Sequence, residues 1–246
     1  MKVALLGATR GMGRAVARRL AERGDTLFLL GRDVAELERS AADLQVRGAG
    51  GAVAHAVCDL LEPGSFAPAL DAAVHALGGL DAVVVSAGLF ASQEALEHDA
   101  ALRARLLAAN FTNTVLFCEL ARARLLAANG GKRLCVFSSV AGDRARKPVI
   151  LYGAAKAGLS HYLTGLDHKF SADGLRTILV KPGFVKTAMT AGLPVPPFAG
   201  EPEPVAAAVV RALDRGTPVV YVPGIWRWIM LVIRSLPRAV MRRIQF

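Results

Sequence analysis

The sequence predicts an α/β fold: one doubly wound parallel sheet of about seven strands, flanked by helices and followed by a basic amphipathic extension. Three observations predict it. Short apolar runs alternate with helix-compatible stretches from Lys2 to Val222, with no linker or internal repeat between them. A glycine-rich turn, Gly7-Ala-Thr-Arg-Gly11-Met-Gly13, joins the first run to the first helical stretch. Tyr152 and Lys156 stand four residues apart on a later helix, thirteen residues after Ser139, which follows another apolar run. The expected organisation is one domain over residues 1–222 and a tail over residues 223–246.

Composition bounds the function. Hydrophobic residues make up 53% of the 246, enough for a full core and too many for disorder. The net charge of +10 is uneven: residues 1–140 carry 15 basic and 14 acidic side chains, and residues 141–246 carry 15 and 6. The excess therefore sits in the second half, which fits either an anionic partner there or a solvated basic surface. Cys58, Cys118 and Cys135 have no CxxC spacing and read as free, mostly buried thiols, with no metal site among them. The first strand pattern begins at Lys2, leaving no room for a signal peptide, and no apolar run reaches the ~18 residues of a spanning helix. The expectation is a cytoplasmic protein. The basic charge comes with no helix-turn-helix or RNA-stacking motif, so nucleic acid is not an expected partner.

In chain order, Lys2 to Leu6 reads as a strand, and Arg14 to Arg23 as a helix after the glycine turn. Glycines at such a turn let the backbone approach a pyrophosphate, and the helix start offers unpaired N–H groups. Thr26 to Leu30 is the second strand, ending in Gly31-Arg32-Asp33. Asp33 reads as the N-cap of a helix from Val34 to about Arg47. With Arg10 and Arg32 near the strand end and no acid there, the pattern favours NADP(H) over NAD(H). Val53 to Val57 and Asp81 to Val85 are further strands, with a helix from about Pro63 to Leu77 between them. Ser86-Ala87-Gly88 then gives a small-residue turn against which a cofactor can lie.

Residues from about Asp99 to Ala128 read as one helix with Asn110 in its middle. Asparagine there is either tolerated on the surface or kept for a specific role. Leu134 to Ser138 is the fifth strand, residues 149 to about 171 the helix of Tyr152 and Lys156, and Leu175 to Val180 the sixth strand. The Pro-, Gly- and Ala-rich stretch from Phe184 to Pro204 suggests a lid over substrate. A helix from Pro204 to Asp214 and a strand from Pro218 to Val222 complete the pattern. On the long helix, Tyr152 and Lys156 share one face, and an ammonium beside a phenol lowers a pKa that starts near ~10.

Taken together, these motifs resemble the short-chain dehydrogenase/reductase family over roughly residues 1 to 222. Gly7, Thr9, Arg10, Gly11, Met12 and Gly13 correspond to its glycine motif, Asp59 with Leu60 to its adenine-contacting segment, and Ser86, Ala87 and Gly88 to its turn after the fourth strand. Asn110, Ser139, Tyr152 and Lys156 match its catalytic tetrad. Pro182, Gly183, Val185 and Thr187 resemble the segment holding the nicotinamide carboxamide. Two positions depart from the family pattern: Leu6 stands where threonine is usual, and Ser86 where asparagine is usual. The resemblance implies a Rossmann-like fold, bound NADP(H) and reduction of a ketone to a secondary alcohol. In it Tyr152 is the acid, Ser139 polarises the carbonyl, Lys156 tunes Tyr152 and holds the nicotinamide ribose, and Asn110 holds a water on the proton path.

Two features bear on the substrate. Asp143-Arg144-Ala-Arg146-Lys147, between Ser139 and Tyr152, is either a phosphate-holding loop near the mouth or a solvated one. The tail from Gly224 to Phe246 has five arginines and no acid, with Trp226, Trp228, Ile229, Leu231, Val232 and Leu236 as its apolar part and Pro237 starting a second short helix. It suits either an anionic membrane surface or packing on the sheet or on another subunit. The tail, with the Ala-Gly-Asp-Arg…Tyr-Gly-Ala-Ala-Lys-Ala-Gly stretch, resembles the decaprenylphosphoryl keto-ribose reductases of mycobacterial wall synthesis. That resemblance implies a lipid-linked keto-sugar substrate and contact with the inner face of the membrane. The alternatives are a soluble reductase of small ketones or 3-oxoacyl thioesters, and a non-catalytic NADP(H)-binding sensor. A homo-oligomer is expected.

Overall fold

The structure is a computed structural model and describes residues 1–244; positions 245 and 246 of the expected tail lie outside the described residues. The chain runs β1 (Lys2–Leu6), α1 (Gly11–Glu22), β2 (Thr26–Gly31), α2 (Val34–Val46), β3 (Ala54–Val57), α3 (Phe66–Leu77) and β4 (Ala82–Val85). It continues with α4 (Gln93–His98), α5 (Ala100–Leu107), α6 (Asn113–Ala127), β5 (Arg133–Phe137), α7 (Ile150–Phe170) and β6 (Arg176–Pro182). It closes with α8 (Pro202–Arg215), β7 (Val219–Val222), α9 (Trp226–Ser235) and α10 (Arg238–Arg243).

All seven strands are parallel, in the order β3-β2-β1-β4-β5-β6-β7. The strands read as unbroken apolar runs because both faces are covered. Side chains alternate between the faces: Val3 and Leu5 pack with α1, α2 and α8, while Ala4 and Leu6 pack with α3, α6 and α7. The strand order reverses between β1 and β4, and the carboxyl ends of these two strands open the crevice that such sheets use for ligands.

Most predicted elements are present with ends shifted by a residue or two. Asp33 caps α2 as expected, accepting from the Glu36 N–H at 3.1 Å. The single helix expected over 99–128 is instead α5 and α6 joined by a π-helical turn, Ala108–Thr112, and preceded by a separate α4. Asn110 lies in that turn and is 1% exposed, so tolerance on the surface does not explain it. The wide turn is supported from both sides. Thr114 Oγ1 donates to Ala109 O at 2.6 Å, and the Phe111 ring lies on α7 at Gly158, where a Cβ would come within 2.9 Å of it. The stretch before α8 is largely irregular, with one 3₁₀ turn at Ala188–Thr190 and a bridge between Val185 and Gly200. Helix α8 starts at Pro202, earlier than expected, because proline suits the first helical turn.

Candidate active site

The glycine turn is shaped by backbone, not by side chains. Gly7 has φ +93°, and a Cβ there would meet Ala87 N at 2.5 Å. A Cβ on Gly13 would meet Gly7 O and Ser86 Oγ, each at 2.3 Å. Helix α1 begins with no side-chain cap at Arg10, so its first N–H groups take no side-chain partner and remain donors for an anion. The unusual Ser86 braces this turn. Its Oγ donates to Leu6 O (3.2 Å) and Gly7 O (3.1 Å), tying the glycine turn to β4. Leu6, in place of the usual threonine, is 1% exposed and belongs to the core.

A cleft of about 180 Å³ opens here, lined by Gly7, Thr9, Gly31, Arg32, Asp59, Leu60, Ala87 and Gly88, together with Leu6, Cys58, Leu61, Leu89 and Ala109. It brings together seven of the cofactor residues expected from sequence, Gly7, Thr9, Arg32, Asp59, Leu60, Ala87 and Gly88, whereas Arg10, Gly11, Met12, Gly13, Ser86, Tyr152, Lys156, Pro182, Gly183, Val185 and Thr187 do not line it. Thr9 is fixed through its carbonyl, which accepts from Arg14 Nε at 2.7 Å. Asp59 accepts from Leu61 N at 2.9 Å, and Leu60 O accepts from Asn113 Nδ2 at 2.6 Å. Met12 packs on the core at the α1 face of the sheet. Cys58, Leu61, Leu89 and Ala109 carry no motif and were not expected at the cleft. Burial pushes all three thiols up, Cys58 to about 12.

The end of the second strand carries no acid, and the arginine near it finds its partner in α2: Glu36 lies 2.6 Å from Arg39 and 3.5 Å from Arg10. These arginines hold the Glu36 carboxyl below its usual range, Arg39 contributing most. Arg10 thus leans on Glu36, while Arg32 lines the cleft. Arg10 and Arg39 share the Glu36 carboxylate, and Arg32 adds a cation at the cleft.

The catalytic group assembles where β5 ends and α7 begins. Ser139 is extended (φ −168°), and its Oγ accepts from Ala141 N at 3.1 Å and donates to Pro182 O at 3.4 Å. The Ser139 hydroxyl acts on the Tyr152 phenol in the direction that favours its ionised form. Lys156 lies one turn on, its Nζ 5.8 Å from the Tyr152 ring centroid and 2.9 Å from Phe137 O. Gly88 keeps this corner open, since a Cβ there would lie 3.0 Å from Asn110 Oδ1 and 3.7 Å from Lys156 Nζ. Close backbone contact also sets the approach of α7: a Cβ on Gly142 would meet the Lys156 carbonyl carbon at 2.7 Å.

Two roles read from sequence take a different form. Burial pushes Tyr152 up to about 12, against the downward pull of the Ser139 hydroxyl and the Arg146 charge. Burial pushes Lys156 down to about 8. Desolvation is thus the largest cause acting on both groups. The Asn110 side chain is committed to the backbone of Leu89, donating to Leu89 O and accepting from Leu89 N, both at 2.7 Å. It fixes the turn after β4, and a π turn at this point is a frequent mark of a functional site.

The segment after β6 faces the glycine turn. A Cβ on Gly11 (φ +53°) would meet Thr187 Cγ2 at 3.4 Å, and Thr187 N donates to Thr190 Oγ1 at 3.0 Å. Val185 is buried, and Gly183 is roofed by the tail: a Cβ there would meet Trp226 Nε1 at 2.1 Å. Trp226 and Met230 of α9 bury against Val140, and Trp226 Nε1 donates to Phe198 O at 3.4 Å.

Several participants carry no sequence signal. Phe90 meets the Tyr152 ring edge-on at 5.3 Å and 79°. Gln93 Oε1 accepts from Leu151 N at 3.1 Å, steadying the start of α7. Asp143, with 3% of its side chain exposed, pairs with Lys181 and accepts from Tyr221 Oη at 2.8 Å. Burial, then that hydrogen bond, pushes Tyr221 up to about 12.

A parallel sheet with a glycine cradle at its switch point, facing a serine, a tyrosine and a lysine, defines a dinucleotide-binding oxidoreductase fold. The family model described as short chain dehydrogenase matches residues 2–195. An uncharacterized oxidoreductase of Mycobacterium tuberculosis is 36% identical over 98% of this chain and 96% of its own. A putative ketoacyl reductase of the granaticin polyketide synthase of Streptomyces violaceoruber is 32% identical over 74% of this chain and 67% of its own. A short-chain dehydrogenase from Sphingobium yanoikuyae, solved in complex with NADPH, superposes with a TM-score of 0.80 at 26% identity, covering 96% of this chain and 97% of the other. The chain belongs to the short-chain dehydrogenase/reductase family, and it is an oxidoreductase.

Proposed function

We propose that the protein reduces a ketone to a secondary alcohol with NADPH. The observation that carries this reading is the gathering of Ser139, Tyr152 and Lys156 where β5 ends and α7 begins, with the Lys156 ammonium 5.8 Å from the Tyr152 ring centroid. The cradle suits a dinucleotide because Gly7 packs on Ala87 and Gly13 on Gly7 and Ser86 with no room for a Cβ, which brings the turn and the start of α1 close to the end of β4. Arg32 lines the same cleft and supports a 2′-phosphate there. NADPH when bound supplies the hydride. Ser139 donates a hydrogen bond to the substrate oxygen and polarises the carbonyl. As hydride adds to carbon, Tyr152 gives its phenolic proton to that oxygen, completing the alcohol. A phenol held near 12 is protonated at neutral pH, the state an acid needs for reduction. Lys156, held near 8, lies close enough to neutrality to return a proton between turnovers.

The roof supports an amphiphilic substrate, including a keto-sugar carried on a lipid phosphate. Trp228, Leu231 and Val232 of α9 are 63%, 57% and 63% exposed, and the lid loop adds exposed Val195 and Phe198. Arg227, Arg234, Arg238, Arg242 and Arg243 surround them, all exposed. Aromatic, aliphatic and arginine side chains on one surface favour an anionic membrane interface. No described helix is long and apolar enough to cross a membrane. A second copy of this chain is the competing occupant of that surface.

The test follows NADPH and NADH oxidation by the full chain against ketones ranging from cyclohexanone to 3-oxoacyl thioesters, with and without anionic phospholipid vesicles. NADPH-driven reduction is expected, with the protein co-sedimenting with vesicles and only partly released by salt. Tight NADPH binding without turnover of any ketone would favour a sensor. A dimer that ignores vesicles would assign the roof to subunit contact.

A further inference from the structure

Ser139 opens a short 3₁₀ turn, Val140–Gly142, and Asp143 ends it. Within the turn Gly142 N donates to Ser139 O at 3.0 Å, and Asp143 N donates to Val140 O at 3.1 Å. The Ala141 N–H holds Ser139 Oγ at 3.1 Å. Residues 139–143 are therefore one hydrogen-bonded unit, and whatever holds Asp143 also sets the Ser139 hydroxyl. On the side facing α7 this unit is held by packing, since a Cβ on Gly142 would lie 2.7 Å from the Lys156 carbonyl carbon.

On the side facing the sheet it is held by charge. The Asp143 carboxylate is nearly buried; Oδ1 pairs with the Lys181 ammonium, and Oδ2 accepts from Tyr221 Oη at 2.8 Å. Both oxygens are thus used, and their partners come from different strands. Lys181 and Tyr221 are register partners in β6 and β7, with the ammonium 5.6 Å from the tyrosine ring centroid. Lys181 directly precedes Pro182, whose carbonyl accepts from Ser139 Oγ at 3.4 Å. The carboxylate therefore fixes the serine turn against the strand that ends beside it. An apolar pair of similar volume is often as stable as a buried ion pair, but it supplies no directed contacts to fix one arrangement.

We propose that Asp143 is a positioning residue that holds the Ser139 hydroxyl, through the Val140–Gly142 turn, where it meets the carbonyl oxygen of the substrate. The inference rests on the reductase reading and adds to it a residue that acts only through Ser139. The bond from Ser139 Oγ to Pro182 O is long for a hydroxyl donor, so the serine exchanges it for a substrate oxygen at little cost, provided the turn stays in place. A misplacement of about 1 Å at such a group can cost on the order of 10²-fold in rate.

The experiment uses the full chain, its best ketone and saturating NADPH, with rates divided by the folded fraction read from circular dichroism. Asp143→Asn keeps the shape of the side chain and removes its charge. Its kcat should fall by about 10- to 100-fold, while KM and the NADPH dissociation constant stay within ~3-fold of native. Tyr221→Phe removes one hydrogen bond and leaves the ion pair, so its kcat should fall less, by about 3-fold, and it serves where the Asn variant does not fold. The deciding measurement is a double-mutant cycle with Ser139→Ala, read as alcohol accumulated over hours so that slow variants are measured. Once the serine hydroxyl is gone, the second substitution should cost less than ~2-fold. A merely structural loss would cost as much without the hydroxyl as with it, and that result would overturn the proposal. So would native-like kcat in Asp143→Asn, or in Tyr221→Phe where only that variant folds. NADPH affinity falling as far as kcat would also overturn it, since Asp143 would then act on the segment after β6. Any of these outcomes in an enzyme that still reduces ketones refutes this inference alone; a chain that reduces no ketone removes the reductase reading first.

Discussion

The cofactor cleft and the roof over the substrate mouth are held in place by different kinds of contact. In the cleft the constraint is close packing on the backbone: Gly7 and Gly13 leave no space for a Cβ, and Ser86 binds two carbonyls of the turn it faces. In the roof the constraint lies in long polar and charged side chains. Arg144 reaches Leu236, Lys147 reaches Arg242, and Asp143 reaches Tyr221, pairs separated by 92, 95 and 78 residues. The cleft is suited to one unchanging ligand part, a pyrophosphate. The roof can change without disturbing it, which is where a family sharing one cofactor fold can vary its substrates.

The sharpest way to break this contrast is to add one methyl group to the cleft. Gly13→Ala puts a Cβ 2.3 Å from both Gly7 O and Ser86 Oγ, so the start of α1 must move. NADPH affinity should fall at least ~100-fold, because two or more charge-assisted contacts are lost together. Fluorescence titration of the folded variant measures it; near-native affinity would mean that the cradle is not where the pyrophosphate sits.

The roof should fail through stability instead. Asp143→Ala leaves Lys181 nearly buried without its carboxylate. Removing one partner of a buried pair typically costs about 3–5 kcal/mol. Urea unfolding should show that loss, while NADPH affinity of the folded fraction stays close to native. A larger effect on NADPH than on stability would show that the two regions are coupled.

A smaller effect tests the burial of Lys156. Its folded pKa, about 8, lies below the usual 10.5. Between those values the unfolded chain holds a proton that the folded chain has released, so stability attributable to this group rises with pH. Relative to Lys156→Met, the native protein should gain on the order of 2 kcal/mol between about pH 7.5 and 9.5. A difference that stays flat with pH would place the ammonium in contact with water.

The same contrast explains which features are legible in the sequence. The sheet is legible because strands covered on both faces are unbroken apolar runs, and the cleft because glycine has few reasons to recur at such spacing. Ser139, Tyr152 and Lys156 are legible because one strand end and one helical turn bring them together. The π turn at Ala108–Thr112 is not, since its cause is Asn110 reaching Leu89 and Thr114 reaching Ala109, contacts that periodicity does not register. Glu36 escapes because it lies one helical turn into α2, beyond the strand end where an acid is expected. The commitment of Arg144 and Lys147 is equally out of reach, because the tail carbonyls they reach lie some ninety residues on.

The central claim is that Tyr152 is the proton donor in a site whose cofactor cleft is built independently of it. Tyr152→Phe removes only the hydroxyl and keeps the ring that meets Phe90. Its NADPH dissociation constant should match that of the native protein, and its turnover of the best ketone should fall by about 10²-fold or more. Native-like turnover in the Phe variant, measured with the same NADPH affinity, would contradict the account.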